Sequence, residues 1–443
     1  GEATMARYLK RPAGISEEAV REVARTVSEI LGAVEREGAA AVRRYSERFD
    51  GWSPSEFRVG RDEIDRAAAG VPDELKTHIA FTQEQVRNFA ELQRSTLVDI
   101  EWQTLPGVTL GQRFIPVESV GAYSPGGLYP LIASSIMTVV VPRVAGVQRI
   151  VGCAPPRGPA GMHPPQLYAM ATSGAEEIFC IGGVQAFAAM AFGIEGLQPV
   201  DMLVGAGNAY VAEAKRQLFG TVGIDLLAGP TEVMVLADDS ADPEIVAADL
   251  LGQAEHGPTS PATLITTSSG LAEAVARAVD EWLEGDWPTK DVAGTAWRDH
   301  GTIVVCEDEE EAASLADEMA PEHLEVQTED PDWYLKRLGS YGTVFLGTHA
   351  TVAYSDKAVG TNHILPTRRA ARYTGGLWVG KFLKAVTYQR LTAEGSARVA
   401  ETAASISDAE LMFGHALTAR LRLDPERFPD AMAPIAPDGG DTI

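Results

Sequence analysis

Short β-rich runs alternate with alanine-rich helical stretches from about Val108 onward, and this alternation dominates the chain. Parallel strands need long crossover connections, which helices usually provide, so the alternation indicates βαβ units and a mostly parallel sheet. The runs are Glu118–Tyr123, Arg149–Cys153, Glu177–Ile181, Asp201–Val204, Glu232–Leu236, Ala262–Thr266, Thr302–Val305 and Thr343–Leu346. Eight such strands are many for one compact sheet. We therefore expect two α/β lobes.

Helical patterns flank this region on both sides. The first ~100 residues are predicted to be helical because apolar residues recur at helical spacing in Ser16–Gly38, with Ser16 as N-cap, and in Pro72–Leu97. The C-terminal part from about Trp378 is also predicted to be helical, and it ends in a tail rich in Pro, Asp and Gly that we expect to be mobile. Its segments are Ser396–Ser407, Asp408–Arg422 and the tail Pro425–Ile443.

The charge balance and the cysteines exclude several classes of protein. With 62 Asp and Glu against 37 Lys and Arg, the formal net charge is −25. Nucleic acids and anionic membranes bind clustered Lys and Arg, so we expect neither as a partner. Cys153, Cys180 and Cys306 are far apart, which argues against a disulfide framework and a thiolate zinc site. With no apolar run near the ~20 residues of a membrane helix and no signal peptide recognised, we expect a cytoplasmic protein.

Two glycine turns are candidates for nucleotide binding. Gly182-Gly183 and the segment Gly205-Ala-Gly-Asn208 each follow a predicted strand and precede a predicted helix. Glycine at such a turn lets backbone N–H groups approach a phosphate at the helix N-terminus. The dinucleotide fingerprint is incomplete, because Tyr210 occupies the place of its third glycine. Each turn is therefore open to a purely structural interpretation as well as to nucleotide binding.

Most histidines fall in the second half of the chain, where they could build an imidazole site. Gln253 and His256 are three residues apart and would share one face if this segment is helical, and Asp356 lies seven residues before His363. With His415, these side chains would form a zinc or manganese site rich in nitrogen and oxygen. No spacing joins these segments, and a lone histidine is more often a surface or satisfied core residue.

Two further clusters could carry chemistry. Glu322 and His323 are an adjacent acid and imidazole, which could act as a general base beside a carboxylate that positions water, or could be an exposed polar pair. A basic stretch stands out in this acidic chain and could bind an anion or pair with surplus carboxylates. It comprises Lys357, Arg368, Arg369 and Arg372.

The ordered motifs of the chain resemble those of the histidinol dehydrogenase family over roughly residues 5–420. The segments that carry the resemblance are Val120-Gly-Ala-Tyr-Ser-Pro-Gly-Gly127, Gly182-Gly-Val-Gln-Ala186, Gly205-Ala-Gly-Asn-Ala-Tyr210, Glu213-Ala-Lys-Arg216, Ala228-Gly-Pro-Thr-Glu232, Gln253-Ala-Glu-His-Gly257, Pro321-Glu-His-Leu324 and Gly360-Thr-Asn-His-Ile-Leu-Pro-Thr367. The resemblance implies a homodimeric zinc enzyme that uses two NAD in turn to oxidise a primary alcohol through an aldehyde to a carboxylate.

The resemblance also implies roles for individual residues. His323 would take the alcohol proton, and Glu322 would help water attack the aldehyde. The metal ligands would be Gln253, His256, Asp356 and, from the partner subunit, His415. Tyr123, Gln185 and Asn208 would contact NAD, whereas Thr231, His363, Lys357 and, from the partner subunit, Glu410 would face the substrate.

The resemblance further implies a domain organisation. It predicts two lobes with incomplete Rossmann-like sheets and a helical C-terminal arm that is swapped in the dimer. The predicted segments are an N-terminal segment 1–24, a discontinuous catalytic lobe 25–122 and 231–378, an NAD-binding lobe 123–230 and the arm with its tail 379–443.

Within the family, the block from Asp356 to Lys384 resembles the branch that acts on 2,3-dihydroxypropane-1-sulfonate more than the histidinol enzymes. Lys357 follows the aspartate, where the histidinol enzymes usually have an aromatic residue, and a cation there suits an anionic substrate. Leu128 and Ile136 depart from that branch, which tends to have a basic residue and a histidine at these positions. Histidinol is therefore the alternative substrate. A metal-dependent hydrolase and a non-catalytic binding protein are the rival classes.

Overall fold

The computed structural model describes residues 6–13, 17–194 and 196–424. These residues form two compact units: the first contains the described residues up to Ser95 and Pro116–Phe382, and the second contains Thr96–Ile115 and the described residues from Leu383. The predicted N-cap Ser16 and the predicted mobile tail Pro425–Ile443 lie outside the described residues.

The described residues form strands and helices in alternation. The strands are β1 (Arg7–Lys10), β2 (Ile100–Leu105), β3 (Val108–Pro116), β4 (Ser119–Tyr123), β5 (Arg149–Ala154), β6 (Glu177–Cys180), β7 (Met202–Val204), β8 (Gly223–Ile224), β9 (Val233–Ala237), β10 (Ala262–Thr266), β11 (Gly301–Val305), β12 (His323–Gln327), β13 (Thr343–Leu346) and β14 (Leu383–Leu391). The helices are α1 (Glu17–Glu37), α2 (Ala39–Asp50), α3 (Arg61–Gly70), α4 (Asp73–Ser95), α5 (Ile132–Ala145), α6 (Pro164–Ser173), α7 (Gly183–Phe192), α8 (Ala209–Leu218), α9 (Pro243–Ala254), α10 (Ser269–Glu284), α11 (Lys290–His300), α12 (Glu309–Met319), α13 (Pro331–Arg337), α14 (Val352–Lys357), α15 (Ala393–Ala409) and α16 (Phe413–Leu423).

The first compact unit contains two sheets of the same topology. The five-stranded sheet has the order β6-β5-β4-β7-β8, and all its neighbouring strands are parallel. The six-stranded sheet has the order β1-β11-β10-β9-β12-β13, and only β1 joins it antiparallel. In both, the first strand of the βαβ series is central, as in one half of a Rossmann fold. The predicted α/β class with parallel sheets and C-terminal helices is confirmed, whereas the swapped dimer and the lobe boundaries stay predictions.

The central strands of both sheets are buried beneath helices. Every residue of β4, β9, β10 and β12 is buried, and strands with helices on both faces have such continuous burial. Helix α1 packs on α7 and α8 through an apolar stripe that includes Val27, Ile30, Leu31 and Val34. Each predicted strand run overlaps an observed strand.

The predicted all-helical C-terminal part is wrong in two places. Strand β14 forms within it, because β14 pairs with β3 in a three-stranded sheet of order β14-β3-β2. The predicted helix Asp408–Arg422 is interrupted after Ala409, where Leu411 has a left-handed φ of 59°. Strand β12 was not predicted. Strand β1 lies within the first ~100 residues, which were predicted to be helical, and β2 begins at their end. These strands owe their formation to distant pairing partners, which local periodicity does not contain.

The second compact unit has a small core and a large exposed apolar surface. Helices α15 and α16 pack through Ala400, Ala404, Ala416 and Ala419. Every residue of β2 is exposed, and Trp102 is 75% exposed. The exposed apolar residues of this unit are Val98, Ile100, Trp102, Leu105, Leu110, Ile406, Leu411, Met412, Phe413 and Leu423. A surface of this kind normally lies against a partner.

Two expectations from composition can be compared with the structure. Cys153, Cys180 and Cys306, which were expected to form no disulfide framework, are buried and free. Among the described helices, none combines the length and the apolar character that crossing a membrane would require.

Candidate active site

A cavity of about 690 Å³ in the first compact unit gathers most of the predicted site residues. It lies where the carboxyl ends of the five-stranded sheet face the amino ends of the six-stranded sheet, because Tyr123 ends β4 whereas His323 begins β12. The predicted residues that line it are Tyr123, Gln185, Asn208, Thr231, His256, Glu322, His323, Asp356 and His363. We call the part lined by Tyr123, Gln185 and Asn208 the glycine-turn end, and the part lined by Thr231, Glu322, His323, Asp356 and His363 the histidine end.

Backbone turns shape the glycine-turn end. The Tyr123 hydroxyl accepts a hydrogen bond from the Gly183 N–H at 3.1 Å, and the Tyr123 ring packs on Phe187. Burial raises the pKa of Tyr123, so the phenol stays protonated. Asn208 caps α8, because its Oδ1 accepts from the N–H groups of residues 210 and 211. That leaves its amide N–H groups available to a ligand.

Gly205 is required by the fold of the second turn. Its φ is 136°, and a Cβ there would lie 2.3 Å from the Tyr123 carbonyl oxygen. A fully buried ion pair holds its peptide groups: Lys215 Nζ donates to the Gly205 carbonyl at 2.6 Å, and Asp225 Oδ2 accepts from the Gly205 N–H at 2.9 Å. Lys215 Nζ lies 2.6 Å from Asp225 Oδ1. The ion pair, which the sequence interpretation missed, therefore fixes this turn.

Glu322 at the histidine end is held in one orientation. Its Oε2 accepts hydrogen bonds from Thr231 Oγ1 at 2.6 Å and from the Glu232 N–H at 2.8 Å. Gln253 Nε2 in turn donates to Thr231 Oγ1 at 2.5 Å. Burial and the nearby Glu322 carboxylate raise the pKa of Glu232 to about 7. The carboxylate of Glu322 is thus pre-positioned by groups that flank β9.

His323 presents one nitrogen to the cavity. Its Nδ1 lies 2.9 Å from the Glu232 carbonyl oxygen, which can only accept, so Nδ1 carries a proton. Nε2 is buried without a hydrogen-bond partner and lies 3.9 Å from Asp356 Oδ1. Burial lowers the pKa of His323, but Glu322 and Asp356 more than offset this and raise it to about 9. The imidazole is therefore poised to hold a proton on Nε2.

His363 is a neutral imidazole in the same cavity. Burial lowers its pKa to about 4. Nδ1 lies 3.3 Å from the Asp356 carbonyl oxygen, which fixes the proton on Nδ1 and makes Nε2 the acceptor for the Ser134 hydroxyl at 2.7 Å. Ser134 lines the cavity and was missed by sequence interpretation, because a serine within an apolar helix carries no motif.

The predicted metal ligands are brought together in part. His256 and Asp356 both line the cavity, and Asp356 Oδ1 is buried without a partner. Gln253 lies on α9, but His256 follows the end of that helix, so the condition under which the two would share a helix face is not met. Within residues 6–13, 17–194 and 196–424, no three His, Cys, Asp or Glu side chains form a group that could hold a metal ion.

The two residues predicted to come from a partner belong to the second compact unit. Glu410 follows α15, and His415 lies on α16. Their role in a site stays a prediction. His256 and Asp356 fit zinc in chemical type, since an imidazole and a carboxylate with an unpaired buried oxygen both line the cavity. Gln253 does not line the cavity, but its amide donates to Thr231, which does.

The basic stretch does not line the cavity. Lys357 Nζ lies 3.3 Å from Asp356 Oδ2, with its side chain 54% exposed. Arg369 donates to the carbonyl of residue 318, and Arg372 donates to that of residue 369. Among the described residues that line the cavity there is no Lys or Arg. Leu128 lines the cavity and is half-exposed, whereas Ile136 is buried within α5.

Buried Glu325 and half-buried Asp249 form a carboxyl pair behind the histidine end, and the sequence interpretation did not include it. Gln327 Nε2 donates to Asp249 Oδ2 at 2.8 Å and to Glu325 Oε2 at 3.0 Å. Glu325 also accepts from the N–H of Val352, and Asp249 accepts from the hydroxyl of Thr351. Burial and the nearby Asp249 raise the pKa of Glu325 well above its usual value. The pair therefore joins α9, β12 and α14, the elements that carry Gln253, His323 and Asp356.

Comparison with known proteins assigns the chain to a family. The family model described as histidinol dehydrogenase matches residues 15–423. A histidinol dehydrogenase homolog of Shouchella clausii is 52% identical over 426 residues, which is 95% of this chain and 99% of that protein. The sulfopropanediol 3-dehydrogenase of Ruegeria pomeroyi is 48% identical over 434 residues, which is 98% of this chain and 99% of that protein.

A solved structure agrees with this assignment. The crystal structure of histidinol dehydrogenase from Elizabethkingia anophelis superposes with a TM-score of 0.86 at 34% identity, covering 94% of each chain. Sequence and fold thus agree over nearly the whole length. The chain therefore belongs to the histidinol dehydrogenase family, whose members are oxidoreductases that act on alcohols.

Proposed function

We propose that this protein oxidises a primary alcohol through an aldehyde to a carboxylate, with NAD as the hydride acceptor in both steps. One observation carries the proposal: a single cavity joins the glycine turns to the buried pair of Glu322 and His323. A turn of this kind suits a dinucleotide phosphate, and the acid–imidazole pair suits proton transfer. The family assignment supports the same reaction.

His323 is the base for the alcohol proton. Its Nδ1–H donates to the Glu232 carbonyl, so Nε2 offers the lone pair that accepts the proton as hydride leaves carbon. The Asp356 carboxylate stabilises protonated His323 while its charge is free. Glu322 raises the pKa of His323 more than Asp356 does, and a metal held by Asp356 would weaken the Asp356 contribution.

Glu322 acts in the second oxidation. Hydrogen bonds from Thr231 and the Glu232 N–H hold the carboxylate, which fixes its direction toward the cavity that it lines. In that position it accepts a proton from water as the water attacks the aldehyde. The resulting hydrate can then give a second hydride to a second NAD, with its proton leaving to His323. Each alcohol therefore yields two NADH and one carboxylate.

Zinc is the proposed metal, held by Gln253, His256, Asp356 and the partner's His415. When bound, zinc would hold the substrate oxygen or nitrogen and polarise it. The unpaired buried Oδ1 of Asp356 supports this assignment. Gln253 would offer its amide oxygen to the metal, since its Nε2 donates to Thr231.

We further propose a homodimer. The second compact unit leaves a broad set of apolar side chains exposed, with Trp102 at 75% exposure and Val98 at 62%. Monomeric proteins rarely expose so many apolar groups together. The same unit carries His415 and Glu410, which in the family come from the partner subunit. A second copy of this chain is the partner that would complete such a site.

The substrate that we propose is a small anionic diol such as 2,3-dihydroxypropane-1-sulfonate. The 48% identical relative named for that substrate and the position of Lys357 beside Asp356 support this choice. A second candidate, histidinol, is favoured by a different observation. The charged side chains that line the described cavity are carboxylates rather than Lys or Arg, which suits a cation.

The test is NADH formation with added zinc, on the sulfonate diol and on histidinol in parallel. Activity on the sulfonate diol that falls at least about tenfold in Lys357→Ala supports the anionic substrate. Activity on histidinol alone, unchanged in Lys357→Ala, makes histidinol the substrate. Formation of NADH from either alcohol excludes a hydrolase and a binding protein. Absence of NADH formation with every primary alcohol tested contradicts the proposed reaction.

A further inference from the structure

One carboxylate at the glycine-turn end has no part in the mechanism above. Asp50 is the last residue of α2 and lines the cavity together with Gly183 and Gln185. Gln185 Nε2 donates to Asp50 Oδ2 at 3.2 Å. A Cβ on Gly182 would lie 3.0 Å from the same oxygen, so the glycine leaves the space that the carboxylate occupies. Asp50 therefore belongs to the wall of the proposed cofactor site.

The charges around Asp50 restrict what it can bind. The other carboxylates that line the cavity, those of Glu322 and Asp356, belong to the histidine end. Among the described residues of the wall there is no Lys or Arg to accompany a further phosphate group. Burial raises the pKa of Asp50 to about 6, while the bond from Gln185 opposes this, so the group is still mainly ionised at neutral pH. An ionised carboxylate only accepts hydrogen bonds.

We propose that Asp50 accepts a hydrogen bond from a ribose hydroxyl of the dinucleotide and thereby selects NAD over NADP. This inference deepens the proposed function and rests on it. A ribose offers hydroxyl donors that match an acceptor-only group, and in dinucleotide-binding folds an acidic residue often has this task. A phosphate ester in place of that hydroxyl removes the donor and brings negative charge against the Asp50 carboxylate, with no cation in the described wall to compensate it.

A purely structural role for Asp50 makes a different prediction. If Asp50 only positions Gln185, a neutral group of the same shape replaces it, because the carbonyl oxygen of asparagine can still accept from Gln185 Nε2. Affinity for NAD and for NADP would then be unchanged, or would decrease by the same factor. If Asp50 selects the ribose, removal of its charge changes the ratio of the two affinities.

The experiment is isothermal titration calorimetry of NAD and NADP with the purified full chain, its Asp50→Asn and Asp50→Ala variants, and Asp62→Asn as a control. Asp62 is exposed on α3 and does not line the cavity, so Asp62→Asn makes the same charge change away from the site. Thermal unfolding of each variant reports whether it folds. Binding is measured directly, so the result does not depend on an active, metal-loaded enzyme.

We expect the wild type and Asp62→Asn to prefer NAD strongly. In Asp50→Asn and Asp50→Ala the preference for NAD should fall at least about tenfold, as loss of one charge-assisted hydrogen bond implies. An unchanged preference in a folded Asp50→Asn variant overturns the inference and leaves the proposed function intact. Failure of the wild type to bind either dinucleotide overturns both.

Discussion

The two ends of the cavity are built by different means. At the glycine-turn end, Gly183 and Gly205 allow tight turns of the main chain. A buried ion pair holds the second of these turns, at Gly205. At the histidine end, buried side chains are bonded to one another, as in the contact of Thr231 with Glu322. The main-chain conformation therefore shapes the glycine-turn end, where we propose that NAD binds. Ionisable side chains and their hydrogen bonds shape the histidine end, where we propose that proton transfer occurs.

The two ends also use opposite edges of their sheets. Tyr123 is the last residue of β4, so the glycine-turn end follows the usual position at the carboxyl ends of parallel strands. His323 is the first residue of β12 and is in register with Val233, the first residue of β9. The histidine end is therefore at the amino ends of its sheet. Of the two ends of the cavity, only the glycine-turn end therefore lies at the carboxyl ends of parallel strands.

The largest expected effect is that of His323→Asn, which removes the proposed base at the histidine end. We expect the first hydride transfer to slow by a factor of about 10² to 10⁴, the range for loss of a general base. Single-turnover NADH formation measures this rate. The thermal midpoint and the zinc content should match those of the wild type. Turnover at the wild-type rate would remove His323 from the mechanism.

A substitution at the other end should affect binding instead. Gly205→Ala places a Cβ 2.3 Å from the Tyr123 carbonyl oxygen at a φ of 136°, so the turn must shift. We expect NAD affinity to fall at least about tenfold with a loss of stability of about 1–3 kcal/mol. The control is Gly60→Ala, since a Cβ at Gly60 meets nothing within 4 Å. Equal NAD affinities in the two variants would contradict the role given to this turn.

A smaller effect is expected for the groups that orient Glu322. Thr231→Val keeps the shape but removes the hydroxyl that donates to Glu322 and accepts from Gln253. Glu322 Oε2 keeps only the bond from the Glu232 N–H, and Gln253 Nε2 loses its acceptor. A buried group left unpaired costs about 1–3 kcal/mol, so kcat should fall about 5- to 150-fold. NAD affinity, measured by calorimetry, should not change. A variant that loses NAD affinity but keeps kcat would mean that the two ends are not separate.

The smallest effect concerns stability and pH. Because the pKa of Glu325 is raised in the folded state, folding keeps this group protonated, and stability is lost as pH rises above its usual value of 4.5. Relative to Glu325→Gln, the wild type should lose up to about 1.4 kcal/mol per pH unit above that point. Thermal midpoints measured across about pH 5–8 test this. A difference between the two proteins that does not vary with pH would refute the protonated carboxyl group.

The sequence predicts the parallel sheets well because their strands are short apolar runs between helices, as in Ala262–Thr266. It fails for β14, which depends on pairing with β3. Whether Gln253 and His256 share a helix face depends on the length of α9, which ends at Ala254, before His256. Such features depend on tertiary partners rather than on local pattern.

The candidate site shows the same division. The glycine turns and the adjacent pair of Glu322 and His323 are local patterns, and the family resemblance gave them roles. The partners that hold them, such as Lys215 beneath Gly205, come from segments that spacing alone does not connect. The basic stretch could bind an anion or pair with carboxylates. In the structure Lys357 lies beside Asp356, whereas Arg369 and Arg372 donate to backbone carbonyls.

The most direct test of the account is the stoichiometry of the complete reaction. The zinc-loaded protein is given a limiting amount of the alcohol that it oxidises, with excess NAD, and NADH and the organic product are both measured. The account predicts two NADH and one carboxylate per alcohol, since both oxidations occur in one cavity. One NADH with release of the aldehyde, or a product formed without NADH, would contradict it.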